Sequence, residues 1–219
     1  MATATAPRAE TPQFASEMFD LAAFDATPLQ SDPFDHLIVP GFIRPDALAA
    51  LNRDFPAIEG PSNHPPERLR YGPAFATFLG SLHSAELAAL YGAKFGVDLA
   101  GCHPTIAIRR HCEATDGNIH TDHKSKMITV LFYFNQHWPH EGGRLRLLRS
   151  ATDMEDYAAE SVPEGGAMLA FRRTDHSWHG HKPYVGERRI LQLSYTKGGD
   201  TARLVSSLTK PLRRLLGKS

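Results

Sequence analysis

Histidine is the chemistry-bearing residue in unusual supply: there are twelve in 219 residues, and nine of them fall between His103 and His181. Imidazole is the commonest protein metal ligand and titrates near neutrality, so a reactive site is sought in this stretch first. Within it, His120-Thr121-Asp122 places a nitrogen donor and a carboxylate at i and i+2, which project from one face of an extended backbone. A third donor must come from elsewhere in the chain. His179, in Asp175-His176-Ser177-Trp178-His179-Gly180-His181, is the candidate, with His176 the less favoured alternative. Two histidines and one carboxylate on one face of an octahedron leave three positions open, a geometry suited to an iron ion that must bind other molecules.

A late segment begins Gly186-Glu187-Arg188-Arg189, nine to ten residues past His179. A guanidinium there could hold a ligand carboxylate through two parallel charge-assisted hydrogen bonds. Side-chain parity separates the two arginines. Arg188 shares a strand face with Ile190, Gln192 and Ser194, whereas Arg189 shares one with Leu191, Leu193 and Tyr195. The mixed polar face suits a pocket and favours Arg188, although both faces of a barrel strand can be covered and Arg189 stays open.

The elements that position these residues follow from periodicity. Residues 1–16 are rich in Ala, Thr, Pro and Glu without periodicity and read as a disordered tail. Phe34–Phe42 reads as a strand, and Pro45 opens a helix carrying Leu48, Leu51 and Phe55. Pro56–Pro73 reads as loop, and a helix capped by Ser84 ends at Gly96. From residue 104 the period changes to two, with strands expected over 104–112, 126–134, 144–149, 166–172 and 188–195. Helices followed by a run of short strands predict a mainly β protein with packed helices, a jelly roll of cupin-like architecture. The domain is expected over 17–205, with helical support at 45–96 and the β core at 104–197. Residues 206–219 form a basic C-terminal segment whose leucines would pack on the domain while its lysines and arginines stay solvated.

Composition narrows the function. Lys plus Arg and Asp plus Glu are 24 each, so nothing favours a nucleic-acid binder. Met127–Phe134 is the longest apolar run, far short of the roughly 20 residues of a membrane span. Without a secretory-type leader, a cytoplasmic protein with Cys102 and Cys112 reduced is expected.

The ordered set His120-x-Asp122, Phe132-Tyr133-Phe134-Asn135, Gly142-Gly143-Arg144-Leu145-Arg146-Leu147, His179 and Arg188 resembles the Fe(II)/2-oxoglutarate-dependent oxygenase superfamily, in its prolyl-hydroxylase-like branch. The resemblance covers roughly residues 33–197. It implies a distorted double-stranded β-helix, with Fe(II) on His120, Asp122 and His179. It implies 2-oxoglutarate as co-substrate, held by Arg188 and Tyr133, with O2 consumed and ascorbate as a candidate reductant. The implied reaction is hydroxylation of an unactivated C–H bond with 2-oxoglutarate going to succinate and CO2. The substrate would be a small molecule or a peptide; its identity and the oligomeric state stay open.

One departure from the family pattern puts His111 where a pocket tyrosine often stands, so His111 is a substitute pocket candidate. His123, His137 and His140 are read as exposed loop histidines near the metal end, and His181 as a neighbour of His179 on the same face. Lys124 and Lys126 are read as solvated. Asn63–Tyr71 and Ala151–Ser161 are candidate lids. Two other classes stay in play: a cupin-like metalloprotein or metal-dependent binding module that does not use 2-oxoglutarate, and a non-catalytic barrel.

Overall fold

The structure, a computed structural model, describes residues 17–197. The expected N-terminal tail and basic C-terminal segment lie outside the described residues. The elements in order are α1 (Leu21–Ala26), β1 (His36–Val39), α2 (Pro45–Arg53), a 3-10 turn (Pro66–Arg68), α3 (Pro73–Leu82) and α4 (Ala85–Phe95). The strands β2 (His103–Cys112), β3 (Lys126–Tyr133), β4 (Leu145–Leu148), β5 (Tyr157–Ser161), β6 (Met168–Arg172), β7 (His179–Gly180) and β8 (Gly186–Thr196) follow. No helix among the described residues is long and apolar enough to cross a membrane.

Two antiparallel sheets face one another. The larger has the order β1-β6-β3-β8-β2 and the smaller β5-β4-β7. This is the double-stranded β-helix, and its two faces carry different cores. Phe132, Phe134, Leu191, Leu193 and Tyr195 point outward to meet Phe75, Phe78, Leu87, Tyr91 and Phe95 of the helices. Leu131, Tyr133, Leu145, Leu147, Phe171 and Ile190 point inward between the sheets. The period of two on β3 and β8 therefore sorts helix-facing from interior residues.

Local signals explain the helix ends. Ser84 Oγ accepts a hydrogen bond from Leu87 N–H at 3.1 Å, and Gly96 closes α4 at φ 61°, a left-handed conformation that glycine adopts without a Cβ clash. Helix α3 starts at Pro73, where the expected loop ends, and fills the stretch before the helix capped by Ser84. Its remote cap is Asp54, whose Oδ2 accepts from Ala74 N–H at 2.7 Å. Residues 151–161 are not simply a lid: β5 pairs with β4 at the edge of the smaller sheet.

Candidate active site

The donors of His120, Asp122 and His179 lie within 4.8 Å of one another. The 59-residue separation between the histidines is closed by an isolated antiparallel bridge: each backbone N–H donates to the other residue's carbonyl at 3.0 Å. The bridge sets the imidazole rings 4.4 Å apart. Strand β7 is in turn held to β4 through Leu147 and His179. Both rings are oriented in the same way, with His120 Nδ1 bonded to Asn118 O and His179 Nδ1 to Ser177 O, each at 2.9 Å. A neutral ring donating from Nδ1 presents Nε2 as the lone-pair donor, which is how a protein chooses a ligating nitrogen.

Asp122 is buried, and each carboxylate oxygen accepts a hydrogen bond at 2.6 Å, one from Lys126 Nζ and one from Thr129 Oγ1. Burial alone would raise its pKa; the Lys126 ammonium, His179 and these two bonds override burial and hold it well below the carboxylate range. Burial pushes the pKa of His179 down to about 4 against the attraction of Asp122, so its ring is neutral near pH 7. Asp122 ionised and His179 neutral are the forms in which these two side chains bind a divalent cation.

From the two histidines, a cavity of about 220 Å³ runs inward past Thr129, Leu131, Phe171, Gln192 and Ile190 to Arg188. Arg188 is 3% exposed, its Nε donates to Gly143 O at 2.8 Å, and its guanidinium lies 5.8 Å from the Tyr133 ring. Among the described residues no carboxylate is within ion-pair distance of it. The Tyr133 and Ser161 hydroxyls are also buried without a hydrogen-bond partner. A buried cation that lines this cavity with no carboxylate partner, and lies close to the Tyr133 ring, is a feature a small anion would satisfy.

Parity sorts the arginines as expected. Arg189 points to the opposite side of β8, where it meets Glu187 at 2.6 Å, Asn52 at 3.1 Å and the Phe55 ring. His181 is buried and lines the cavity, its Nδ1 bonded to Lys182 O and its pKa brought down to about 4 by burial and then by Arg188.

Several expectations need correction. Lys126 is buried against Asp122 rather than solvated, and Met127 packs with the helix-facing core. His111 does not line the cavity; a register shift in β2 between Arg109 and His111 leaves Arg109 there instead, with Asn63 and Asp116. His137 and His140 lie past the far end of β3, in a separate cavity with Asn52 and Arg189. His176 is exposed and outside the donor cluster. Sequence reading missed Arg109 and Thr129; for Thr129, parity with Tyr133 was the available signal, as parity with Arg188 was for Gln192.

Residues 102–196 match the family described as the 2OG-Fe(II) oxygenase superfamily. Among solved structures, a Pseudomonas putida prolyl-4-hydroxylase aligns at 17% identity over 75% of this chain and 93% of its own, with a TM-score of 0.54. A viral collagen prolyl hydroxylase from Paramecium Bursaria Chlorella virus-1, solved as its 2OG complex, aligns at 11% identity over 77% and 99%, with a TM-score of 0.50. A Burkholderia pseudomallei oxidoreductase of the 2OG-Fe(II) oxygenase family aligns at 15% over 74% and 84%, TM-score 0.50. At such identities these structures show the fold; no curated protein matches the chain. The resemblance seen in the sequence is matched by this family model over residues 102–196, and the fold expected from it is the fold these structures share.

Proposed function

We propose that this enzyme hydroxylates an unactivated C–H bond of a small-molecule or peptide substrate, using Fe(II) on His120, Asp122 and His179 and 2-oxoglutarate on Arg188 and Tyr133. The observation that carries the reading is the buried guanidinium of Arg188, without an ion-pair partner among the described residues and close to the Tyr133 ring, in one cavity with the two histidines. When bound, the iron and the keto acid supply oxidative decarboxylation to succinate and CO2, coupled to transfer of one oxygen atom of O2 to the substrate.

The chain's own residues supply geometry. Asn118 and Ser177 carbonyls aim the two Nε2 atoms, and Lys126 and Thr129 fix the carboxylate between them. Arg188 and Tyr133 would hold the distal carboxylate of the keto acid, while Leu131, Phe171 and Ile190 line its path with apolar surface that excludes water. Ascorbate would serve to return oxidised iron to the ferrous state.

The test is anaerobic titration of metal-free protein with Fe(II) and then 2-oxoglutarate, following the visible charge-transfer band of a chelated keto acid, with Asp122→Ala and Arg188→Ala in parallel. A band that needs both components and is lost or weakened in the variants supports the reading. Metal binding with no band would favour the cupin-like alternative; no metal binding would leave a non-catalytic barrel.

A further inference from the structure

Strand β3 enters the sheet through an irregularity that changes which side chain reaches the metal-ligand candidates. Against β8, Lys126 pairs with Thr196 and Ile128 with Tyr195, so two steps on β3 match one on β8. The alternation Thr129, Leu131, Tyr133 toward the cavity would otherwise direct Met127 inward and Lys126 toward the helices. The bulge exchanges them: Met127 joins the helix-facing core and Lys126 turns inward, 8% exposed, with Nζ 2.6 Å from Asp122 Oδ1. The preceding turn, closed by Lys126 N–H to His123 O at 3.0 Å, brings the lysine back over Asp122. Bulges serve to re-aim a side chain, and here the re-aimed group is an ammonium buried against Asp122.

The Thr129 hydroxyl holds the other oxygen, Oδ2, at 2.6 Å, a neutral contact that shares the work of orienting the carboxylate. What Lys126 adds is a positive charge on the only anionic donor of the set. That charge shares the carboxylate's electron density and repels any cation bound to it.

We infer that Lys126 is a positioning residue that lowers the affinity of the His120, Asp122 and His179 site for divalent metal and keeps bound iron in the ferrous state. The inference rests on the metal-site reading above. It follows from charge: an ammonium a few ångströms away opposes a dication, and opposes a trication more, so it weakens metal binding and raises the Fe(III)/Fe(II) potential. The benefit is an assembled site with exchangeable metal that resists loss of its iron to the ferric form between turnovers.

The test is titration of metal-free protein with Mn(II), read by calorimetry, in the wild type, Lys126→Met, Lys126→Arg and Thr129→Val. Lys126→Met removes the charge at nearly constant length and should tighten Mn(II) binding on the order of tenfold or more. Lys126→Arg should bind as the wild type does, and Thr129→Val, which loses orientation without changing charge, should bind more weakly. On Fe-loaded protein, the one-electron potential of Lys126→Met read at a mediated electrode should move to lower values. Circular dichroism checks that each variant is folded. If Lys126→Met binds Mn(II) equally or less tightly while the wild type binds it, this inference fails and the metal site stands. A wild type that binds neither Mn(II) nor Fe(II) overturns both.

Discussion

Replacing Arg188 by Met separates what the empty protein needs from what its ligand needs, because the two effects have opposite signs. The guanidinium is 3% exposed and is compensated within the described protein by one hydrogen bond, to Gly143 O, and by the face of Tyr133. Burying a charge costs several kcal/mol, and replacing poorly compensated buried charges by apolar side chains is neutral or stabilising by about 1–4 kcal/mol. The metal-free, ligand-free Arg188→Met protein is therefore expected to melt at or above the wild-type temperature. Removing one partner of a buried charge pair costs about 2–5 kcal/mol of binding, which is roughly 30-fold to several thousand-fold in the 2-oxoglutarate dissociation constant. The assay is thermal unfolding with Mn(II) present, with and without 2-oxoglutarate. At 100 times its dissociation constant the ligand stabilises the wild type by about 2.7 kcal/mol, and at the same concentration it should stabilise the variant by less than about 1 kcal/mol. Arg189→Met, whose partners are Glu187 and Asn52, should leave the ligand-induced shift intact. Equal ligand-induced shifts in wild type and Arg188→Met would refute the anchoring role. A large loss of stability in the empty variant would refute the argument that the protein leaves this cation uncompensated.

Tyr133→Phe removes a buried hydroxyl that has no partner, so the empty protein should be as stable as the wild type or more so, while 2-oxoglutarate binding by calorimetry should weaken about tenfold. Acidification should destabilise the metal-free protein. Buried His179 and His181 have folded-state pKa values near 4, below an ordinary 6.5, so the unfolded chain takes up protons first and stability falls as pH drops from about 6.5 toward 4. Urea unfolding across that range should show the slope, and His181→Leu should reduce it; a flat profile would show that both rings accept protons in the fold. Gly117 has φ +89°, and a Cβ there would sit 2.3 Å from His181 O. Gly117→Ala should therefore cost about 1–3 kcal/mol in left-handed strain alone and displace the segment that carries His120; unchanged melting and Mn(II) affinity would contradict this.

The sequence by itself determined the β-helix architecture, because a period of two is a local property of each strand and the turn residues between strands are local as well. It also put His120 and Asp122 on one face by i,i+2 spacing and parted Arg188 from Arg189 by parity. Ser84 and Gly96 marked the ends of α4 for the same reason. What depended on partners distant in the chain was decided only by the fold. Helix α3 is capped by Asp54 across a loop and packs on Phe132 and Phe134, so its own residues did not announce it. The histidines at 120 and 179 are joined by a backbone bridge between segments that no local rule pairs. The register shifts in β2 and β3 arise from pairing with β8, and they set aside the regular alternation at two places. One brings Arg109 rather than His111 to the cavity; the other turns Lys126 from a solvated lysine into the partner of Asp122. A bulge is a mismatch between two strands, so neither strand's sequence contains it alone.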